Sequence, residues 1–127
     1  LVFKPDFSIS TPWAYGRLAS DPEQFYFPAA KAEERLQTWT TGNLELPELL
    51  FNSFEAVVFR KFVALPTLLD RLNHEEAVAG ALLSGSGSAC FVLLRDQAQE
   101  RVQRIVREAL GGGVWMREAS FAGRLVN

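Results

Sequence analysis

A glycine–serine loop between two apolar runs is the segment of this sequence best suited to bind a ligand. The loop reads Gly85-Ser86-Gly87-Ser88. Glycine lacks a Cβ atom, so the backbone can adopt positive φ angles and approach a phosphate closely. Consecutive free N–H groups in such a loop can form an anion-binding nest, and serine hydroxyls add further donors. A short hairpin turn requires the same residue types, so the residues alone leave both interpretations open.

The loop lacks the patterns of two common nucleotide-binding loops. No Gly-Lys-Ser or Gly-Lys-Thr sequence is present, as a Walker A loop requires. No helix is predicted directly after the loop, as a dinucleotide-binding fingerprint requires. Any role in phosphate binding is therefore expected to depend on backbone amides and serine hydroxyls.

The other reactive or charged side chains favour structural roles. His74 lies in a polar turn, and no Ser or Cys nucleophile pattern accompanies it. Cys90 is the only cysteine and lies in an apolar run, where packing is the expected role. Three arginines are typical of the solvated face of an amphipathic helix: Arg101, Arg104 and Arg107. We find no paired carboxylates and no metal-binding cluster, so we predict no catalytic residue and no metal ligand in this chain.

The composition indicates one ordinary globular domain. The chain has 127 residues, of which 48% are hydrophobic and 22% charged. The formal net charge of -2 provides no general attraction for nucleic acid or an anionic membrane. No apolar run reaches the ~18 residues that cross a bilayer, and no signal peptide is visible. A single cysteine is consistent with a reducing compartment, and we predict a cytoplasmic protein.

Aromatic residues are concentrated near the start of the chain. An aromatic ring at a cleft edge can stack on a nucleobase, which contributes ~1–3 kcal/mol. Composition alone favours a core position for each of these residues, because a short loop rarely holds so many. They are Trp13, Tyr15, Phe25, Tyr26 and Phe27.

The first half of the chain is predicted to be one short strand followed by helices. Asn52 and Glu55 have the spacing of a capping box, in which Asn52 caps a helix and Glu55 bonds back to the cap N–H. Other elements are a strand at 1–4, a helix starting at Ser10-Thr11-Pro12, a loop at 19–27, helices at 29–39 and 46–51, and a helix opened by Pro66.

The second half has a clearer pattern. Apolar runs at 77–84 and 89–94 flank the glycine loop and predict an antiparallel hairpin. Asp96 is expected to cap an amphipathic helix that ends before Gly111, and 114–120 reads as a last strand. The order predicts an α+β fold, namely a ferredoxin-like βαββαβ two-layer sandwich with extra helices in the first crossover.

Three segments resemble one family of small-molecule kinases. The stretch from Ala81 to Phe91 resembles the third conserved motif of GHMP kinases, in which two strands and a Gly-Ser-Gly loop border the ATP cleft. Residues 4–15 resemble the segment that opens the C-terminal domain of the 4-diphosphocytidyl-2-C-methyl-D-erythritol kinases. The Asn52–Glu55 stretch, followed by Phe62 and Pro66, resembles their helical Asn-Xaa-Xaa-Glu segment.

The resemblance implies both a reaction and site residues. It implies that residues 1–127 are the substrate-side domain of a kinase that uses ATP and Mg²⁺. Its reaction is phosphorylation of the 2-hydroxyl of 4-diphosphocytidyl-2-C-methyl-D-erythritol, a step of non-mevalonate isoprenoid biosynthesis. It also implies that Gly85, Ser86, Gly87 and Ser88 border the ATP phosphates. Tyr15 would stack on the cytosine ring with Pro12 beside it.

The family's catalytic Asp and Lys and its main ATP loop have no match in this chain. In the family they belong to an N-terminal domain, and this chain lacks an initiator Met and begins within a predicted strand. We therefore expect that an N-terminal ATP-binding domain is missing and that the chain alone is inactive. Alternatives are another GHMP kinase, acting on homoserine, mevalonate or galactose, or a free-standing ferredoxin-like ligand-binding module.

Overall fold

The sheet has four antiparallel strands in the order expected of a ferredoxin-like fold. A computed structural model describes residues 1–95 and 97–121, and in that part of the chain the sheet order is β2-β3-β1-β4. The prediction of a βαββαβ sandwich with extra helices in the first crossover is confirmed. The elements are β1 (Val2–Lys4), α1 (Thr11–Ser20), α2 (Pro22–Phe25), α3 (Ala29–Thr40), α4 (Leu46–Leu49), α5 (Phe54–Val58), α6 (Ala64–Asn73), β2 (Val78–Leu83), β3 (Cys90–Leu94), α7 (Gln99–Leu110) and β4 (Trp115–Arg117).

One face of the sheet forms the core. Leu83, Cys90, Phe3 and Met116 lie opposite one another across the four strands, so their side chains share that face. Helices α6 and α7 cover it and complete a cluster of buried apolar side chains. Their main contributions are Leu65, Leu68, Leu72, Val102, Ile105 and Val106.

The segment at 19–27, predicted as a loop, is partly helical. Helix α1 continues to Ser20, and α2 follows after Asp21. The Asp21 carboxylate accepts a hydrogen bond from the Gln24 amide at 3.2 Å, and Pro22 occupies the first turn. An acidic cap followed by proline is a helix start signal, which the aromatic composition of the segment obscured.

Two other helix starts differ from the sequence prediction. Helix α6 begins at Ala64, so Pro66 lies within the first turn, where its missing N–H costs little. Helix α7 begins at Gln99, and its cap residue Ala98 provides no side-chain hydrogen bond. Asp96, the predicted cap, lies outside the described residues. Of the helices that are described, none is long and apolar enough to cross a membrane.

Strand β2 forms one edge of the sheet, and a side chain from α6 pairs with it. The Ala81 amide donates to the Asn73 Oδ1 atom at 2.8 Å, and the Asn73 Nδ2 atom donates to the Ala81 carbonyl at 3.0 Å. These two bonds replace those that a neighbouring strand would make. They satisfy backbone groups that would otherwise offer a pairing edge to another chain.

Candidate functional site

The glycine loop is a tight turn at the end of the β2–β3 hairpin. The Gly87 amide donates to the Ser84 carbonyl at 3.0 Å, and the Ser84 amide donates to the Ala89 carbonyl at 2.8 Å. Gly85 has a φ of 56°, and within residues 1–95 and 97–121 no non-glycine residue has a positive φ. A glycine at the first central position is typical of a type II′ hairpin turn. The predicted hairpin is therefore confirmed.

The two glycines of the loop meet different steric constraints. A Cβ atom at Gly87, where φ is 81°, would lie 2.8 Å from the Leu83 Cδ1 atom and 2.9 Å from the Ile9 Cδ1 atom. A Cβ atom at Gly85 would have no heavy atom of the described residues within 4 Å. Gly85 is thus required only for its backbone conformation, whereas Gly87 also allows close packing beneath the turn.

The tip of the loop presents unpaired backbone donors. Among the residues that the structure describes, the amides of Gly85 and Ser86 donate no hydrogen bond. Gly85 is exposed and Ser86 is half-buried, so the described residues leave the tip at least partly open to solvent. Two adjacent free N–H groups in a glycine-containing turn are suited to an anionic oxygen such as that of a phosphate.

Serine hydroxyls of the loop bind the segment around the start of α1. The Ser88 hydroxyl is buried and donates to the Phe7 carbonyl at 2.7 Å. The Ser86 and Thr11 hydroxyl oxygens are 3.1 Å apart and form a second link. These bonds place the first turn of α1 beside the loop tip.

The structure therefore brings the two groups of predicted site residues together. Tyr15 lies one helical turn after Thr11, so both residues are on the same face of α1. The Tyr15 side chain is 56% exposed, and its ring packs edge to face with Phe54 at a centroid distance of 4.9 Å. Pro12 is exposed in the first turn of the same helix.

The expectation that all five aromatics pack in the core is wrong. Phe25 is 5% exposed and belongs to the core, and Trp13 packs against it. Tyr15 and Tyr26 are 56% and 49% exposed. Composition cannot resolve this difference, because the burial of these residues depends on which faces of α1 and α2 pack against α5.

Asn52 and Glu55 support the loop and do not form the predicted capping box. Helix α5 begins at Phe54 after the cap residue Ser53. The Asn52 Nδ2 atom donates to the carbonyls of Leu83 and Gly85 at 2.8 and 2.9 Å. The Glu55 Oε1 atom accepts from the Leu83 amide at 2.9 Å. The spacing of Asn52 and Glu55 in the sequence drew attention to both residues. The hydrogen bonds described here, however, join them to Leu83 and Gly85 of the hairpin.

Two ionisable groups beneath the loop have displaced pKa values. Burial raises the pKa of the Glu55 carboxyl group, and the hydrogen bond from Leu83 opposes that shift. Burial, with a smaller effect from the Glu55 charge, raises the pKa of the Cys90 thiol to about 12. The thiol is therefore protonated at neutral pH and is not a nucleophile, which agrees with a packing role.

The remaining candidates lie in ordinary surface settings. His74 follows α6 in an exposed turn, with its Nδ1 atom 2.8 Å from the Asp70 carbonyl oxygen. Arg101 forms an ion pair with Glu75, with 2.7 Å between the Nε and Oε2 atoms. In the described part of the chain, no group of three or more His, Cys, Asp or Glu residues could hold a metal ion.

The loop lies on an open surface, and a defined groove lies elsewhere. That groove, of about 950 Å³, is on the face of the sheet opposite α6 and α7 and is lined by residues such as Leu46, Leu50, Phe91 and Leu93. None of the loop residues lines it. A ligand at the loop would therefore need additional walls from another domain to be enclosed.

Comparisons with known proteins identify relatives of one kind. Residues 32–112 match the family described as "GHMP kinases C terminal". A 4-diphosphocytidyl-2-C-methyl-D-erythritol kinase of Prochlorococcus marinus (strain MIT 9303) is 32% identical over 126 residues, which are 91% of this chain and 40% of that protein. The kinase of the same name from Nitratidesulfovibrio vulgaris (Hildenborough) is 32% identical over 115 residues, covering 90% of this chain and 38% of that protein.

A solved structure agrees with these sequence relatives. The crystal structure of a 4-(cytidine 5'-diphospho)-2C-methyl-D-erythritol kinase matches with a TM-score of 0.57 and 27% identity, over 90% of this chain and 40% of that one. This chain thus spans about 40% of the length of the relatives that it matches. The family match covers more than half of the chain and includes the glycine loop with its two strands. The chain therefore belongs to the C-terminal domain family of the GHMP kinases.

Proposed function

We propose that this chain is the substrate-side domain of an ATP-dependent kinase that phosphorylates the 2-hydroxyl of 4-diphosphocytidyl-2-C-methyl-D-erythritol. The reaction would be a step of non-mevalonate isoprenoid biosynthesis. The relatives quoted above carry the name of that enzyme. The observation that carries the proposal is the placement of the free loop amides beside an exposed aromatic helix face, joined by the Thr11–Ser86 contact.

In this proposal the loop borders the ATP phosphates. Gly85, Ser86, Gly87 and Ser88 supply a preformed turn whose amides at positions 85 and 86 are unpaired among the described residues. Phosphoryl transfer depends mainly on positioning and on stabilising the charge of the transferred group. Donors that are already oriented need no rearrangement during the reaction, which makes fixed backbone amides effective.

Tyr15 and Pro12 are proposed to bind the cytosine end of the substrate. More than half of the Tyr15 side chain is exposed, and Phe54 supports the ring. A ring held in this way loses little freedom on binding and offers a surface for stacking on a base. Pro12, exposed in the same helix, adds a rigid apolar contact.

An N-terminal domain is proposed to provide the rest of the site. The relatives are about two and a half times as long as this chain, since it spans 40% of their length. That domain would hold the main ATP loop, the Mg²⁺ ion and the catalytic Asp and Lys, for which this chain offers no counterpart. The open surface around the loop is consistent with closure by a second domain. We place the kinase in the cytoplasm, where its phosphoryl donor ATP is available.

Substrate profiling of the full-length protein tests the proposal. ADP formation should be measured with 4-diphosphocytidyl-2-C-methyl-D-erythritol, homoserine, mevalonate and galactose at equal concentrations. We expect turnover with the cytidyl substrate alone, and phosphorus NMR should place the new phosphate on the 2-hydroxyl. Faster turnover of homoserine, mevalonate or galactose would replace the cytidyl compound as the proposed substrate. If none of the four compounds is turned over, the result would favour a ligand-binding module.

A further inference from the structure

The edge of β2 beside the loop is paired with two side chains in place of a strand. Leu83 is the last residue of β2, and its amide and carbonyl face away from β3. The Glu55 Oε1 atom accepts from that amide at 2.9 Å, and the Asn52 Nδ2 atom donates to that carbonyl at 2.8 Å. The strand end that enters the loop is therefore held on its open side.

Asn52 also holds the loop itself. Its Nδ2 atom donates a second hydrogen bond, to the Gly85 carbonyl at 2.9 Å, and its Oδ1 atom accepts from the Phe54 amide at 3.0 Å. Both amide hydrogens of the side chain are thus used on the hairpin. The third bond anchors the carboxamide to the start of α5.

The bond to Gly85 determines where the next N–H points. The Gly85 carbonyl and the Ser86 N–H belong to the same peptide unit, which is planar. In a trans unit the two groups point in opposite directions. Because the carbonyl points at Asn52, the Ser86 N–H points away from Asn52, and it has no acceptor among the described residues. A hydrogen bond at the carbonyl also polarises the unit and strengthens the N–H as a donor.

We propose that Asn52 is a positioning residue that directs the Ser86 N–H towards a phosphate oxygen of ATP. Glu55 assists by fixing the strand end at Leu83. The inference rests on the proposed kinase function, and it assigns a role to a residue outside the loop that need not touch either ligand. The same carboxamide binds the amide of Phe54, whose ring supports Tyr15, so one side chain connects both parts of the site.

Asn73, the last residue of α6, provides a matched control because its side chain binds the same strand. Its side chain alone makes to Ala81, two residues before Leu83, the two bonds that Asn52 and Glu55 together make to Leu83, and among the described residues it has no hydrogen bond to the loop. Asn52→Asp and Asn73→Asp each replace a donor by a carboxylate oxygen that faces a carbonyl. Both changes should lower the melting temperature, but only Asn52→Asp removes a hydrogen bond to the Gly85 carbonyl.

Steady-state kinetics of the full-length kinase test the inference. With assays run well below every melting temperature, we expect Asn52→Asp to lower kcat/KM for ATP by about 10- to 100-fold, the loss expected for a displacement of about 1 Å. KM for the cytidyl substrate should change much less. Asn73→Asp should retain wild-type kinetics. If Asn52→Asp does not fold, Asn52→Ala and Asn73→Ala replace the pair.

Three outcomes would overturn the inference. Wild-type kinetics in a folded Asn52 variant would show that its bond to Gly85 does not matter for ATP. An equal loss in the Asn73 variant would show that any weakening of β2 is sufficient. A wild-type protein with no kinase activity would overturn the proposed function itself, and this inference with it. The first two outcomes leave the proposed function intact. Failure of this inference can therefore be distinguished from failure of the proposed function.

Discussion

At the scale of single residues, the loop glycines predict unequal costs of substitution. Gly85→Ala places a methyl group in open space among the described residues, so only the positive-φ backbone conformation of the turn is penalised, at ~1–3 kcal/mol. Gly87→Ala adds a clash with Leu83 and Ile9, because its Cβ atom would lie under 3 Å from each. Both contacts are with terminal methyl groups of buried side chains that can shift in part, so this overpacking costs a further ~1 kcal/mol. Urea unfolding should show a larger loss in the free energy of unfolding for Gly87→Ala than for Gly85→Ala. Equal losses would contradict the packing role of Gly87.

Tyr15 allows a test of substrate stacking with a control of the same residue type. Loss of a stacking partner costs ~1–3 kcal/mol per base, so Tyr15→Ala should weaken binding of the cytidyl substrate by about 5- to 150-fold. Tyr26 is also exposed but follows α2, outside the proposed site, and Tyr26→Ala should leave affinity unchanged. Isothermal titration of the full-length kinase measures both. Unchanged affinity in the Tyr15 variant would remove the stacking role.

The raised pKa of Glu55 predicts a pH-dependent stability. Burial disfavours the ionised carboxyl group in the folded state, so its stabilising contribution is complete below the unfolded-state pKa, near 4.5, and is lost as the pH rises through the higher folded-state value. Glu55→Gln keeps an acceptor for the Leu83 amide but cannot ionise. Relative to the wild type, the variant should therefore become more stable as the pH rises from about 4 to about 8. Urea unfolding across that pH range measures the difference in unfolding free energy between the variant and the wild type. A difference that does not vary with pH would contradict the raised pKa of Glu55.

At the scale of elements, the exposed edge of β2 depends on side chains for protection. Asn73→Ala leaves the amide and carbonyl of Ala81 without their partners, which should cost about 1–3 kcal/mol and favour edge-to-edge aggregation. Asn43→Ala is the control, because in the described part of the chain the Asn43 side chain bonds only to the neighbouring Thr41 hydroxyl. Thermal melts and light scattering should separate the two variants. Equal stability of the two would show that water satisfies this edge.

The elements themselves could largely be predicted from local patterns. The apolar runs on either side of the loop and the apolar face of α7 are clear local patterns. They are sufficient to predict the ferredoxin-like order of strands and helices. The role of Asn52 could not be predicted in this way. Its partners Leu83 and Gly85 are more than thirty residues away, and a capping box has the same local spacing. The resemblance to the Asn-Xaa-Xaa-Glu segment singled out residues 52–55, but only the folded structure shows which residues this segment contacts.

At the scale of the whole molecule, the candidate site lies on an open surface, and in the proposed kinase it would form one wall of a cleft. The loop tip and the Tyr15 face of α1 are joined by Thr11 and Ser86, and both are open to solvent. The formal net charge of -2 offers no general attraction for ATP. Under the proposed function, nucleotide binding would therefore rely on a few local donors and on the proposed partner domain. The isolated domain should bind ATP weakly or not at all.

The most direct test of this account is amide NMR of the loop in the full-length kinase. A non-hydrolysable ATP analogue should be added with Mg²⁺ while the resonances of Gly85 and Ser86 are followed, with those of the exposed glycine Gly42 as a control. The account predicts that the two loop amides shift strongly and become protected from hydrogen exchange, whereas Gly42 does not change. A kinase that binds the analogue while both loop amides remain unshifted would contradict the account.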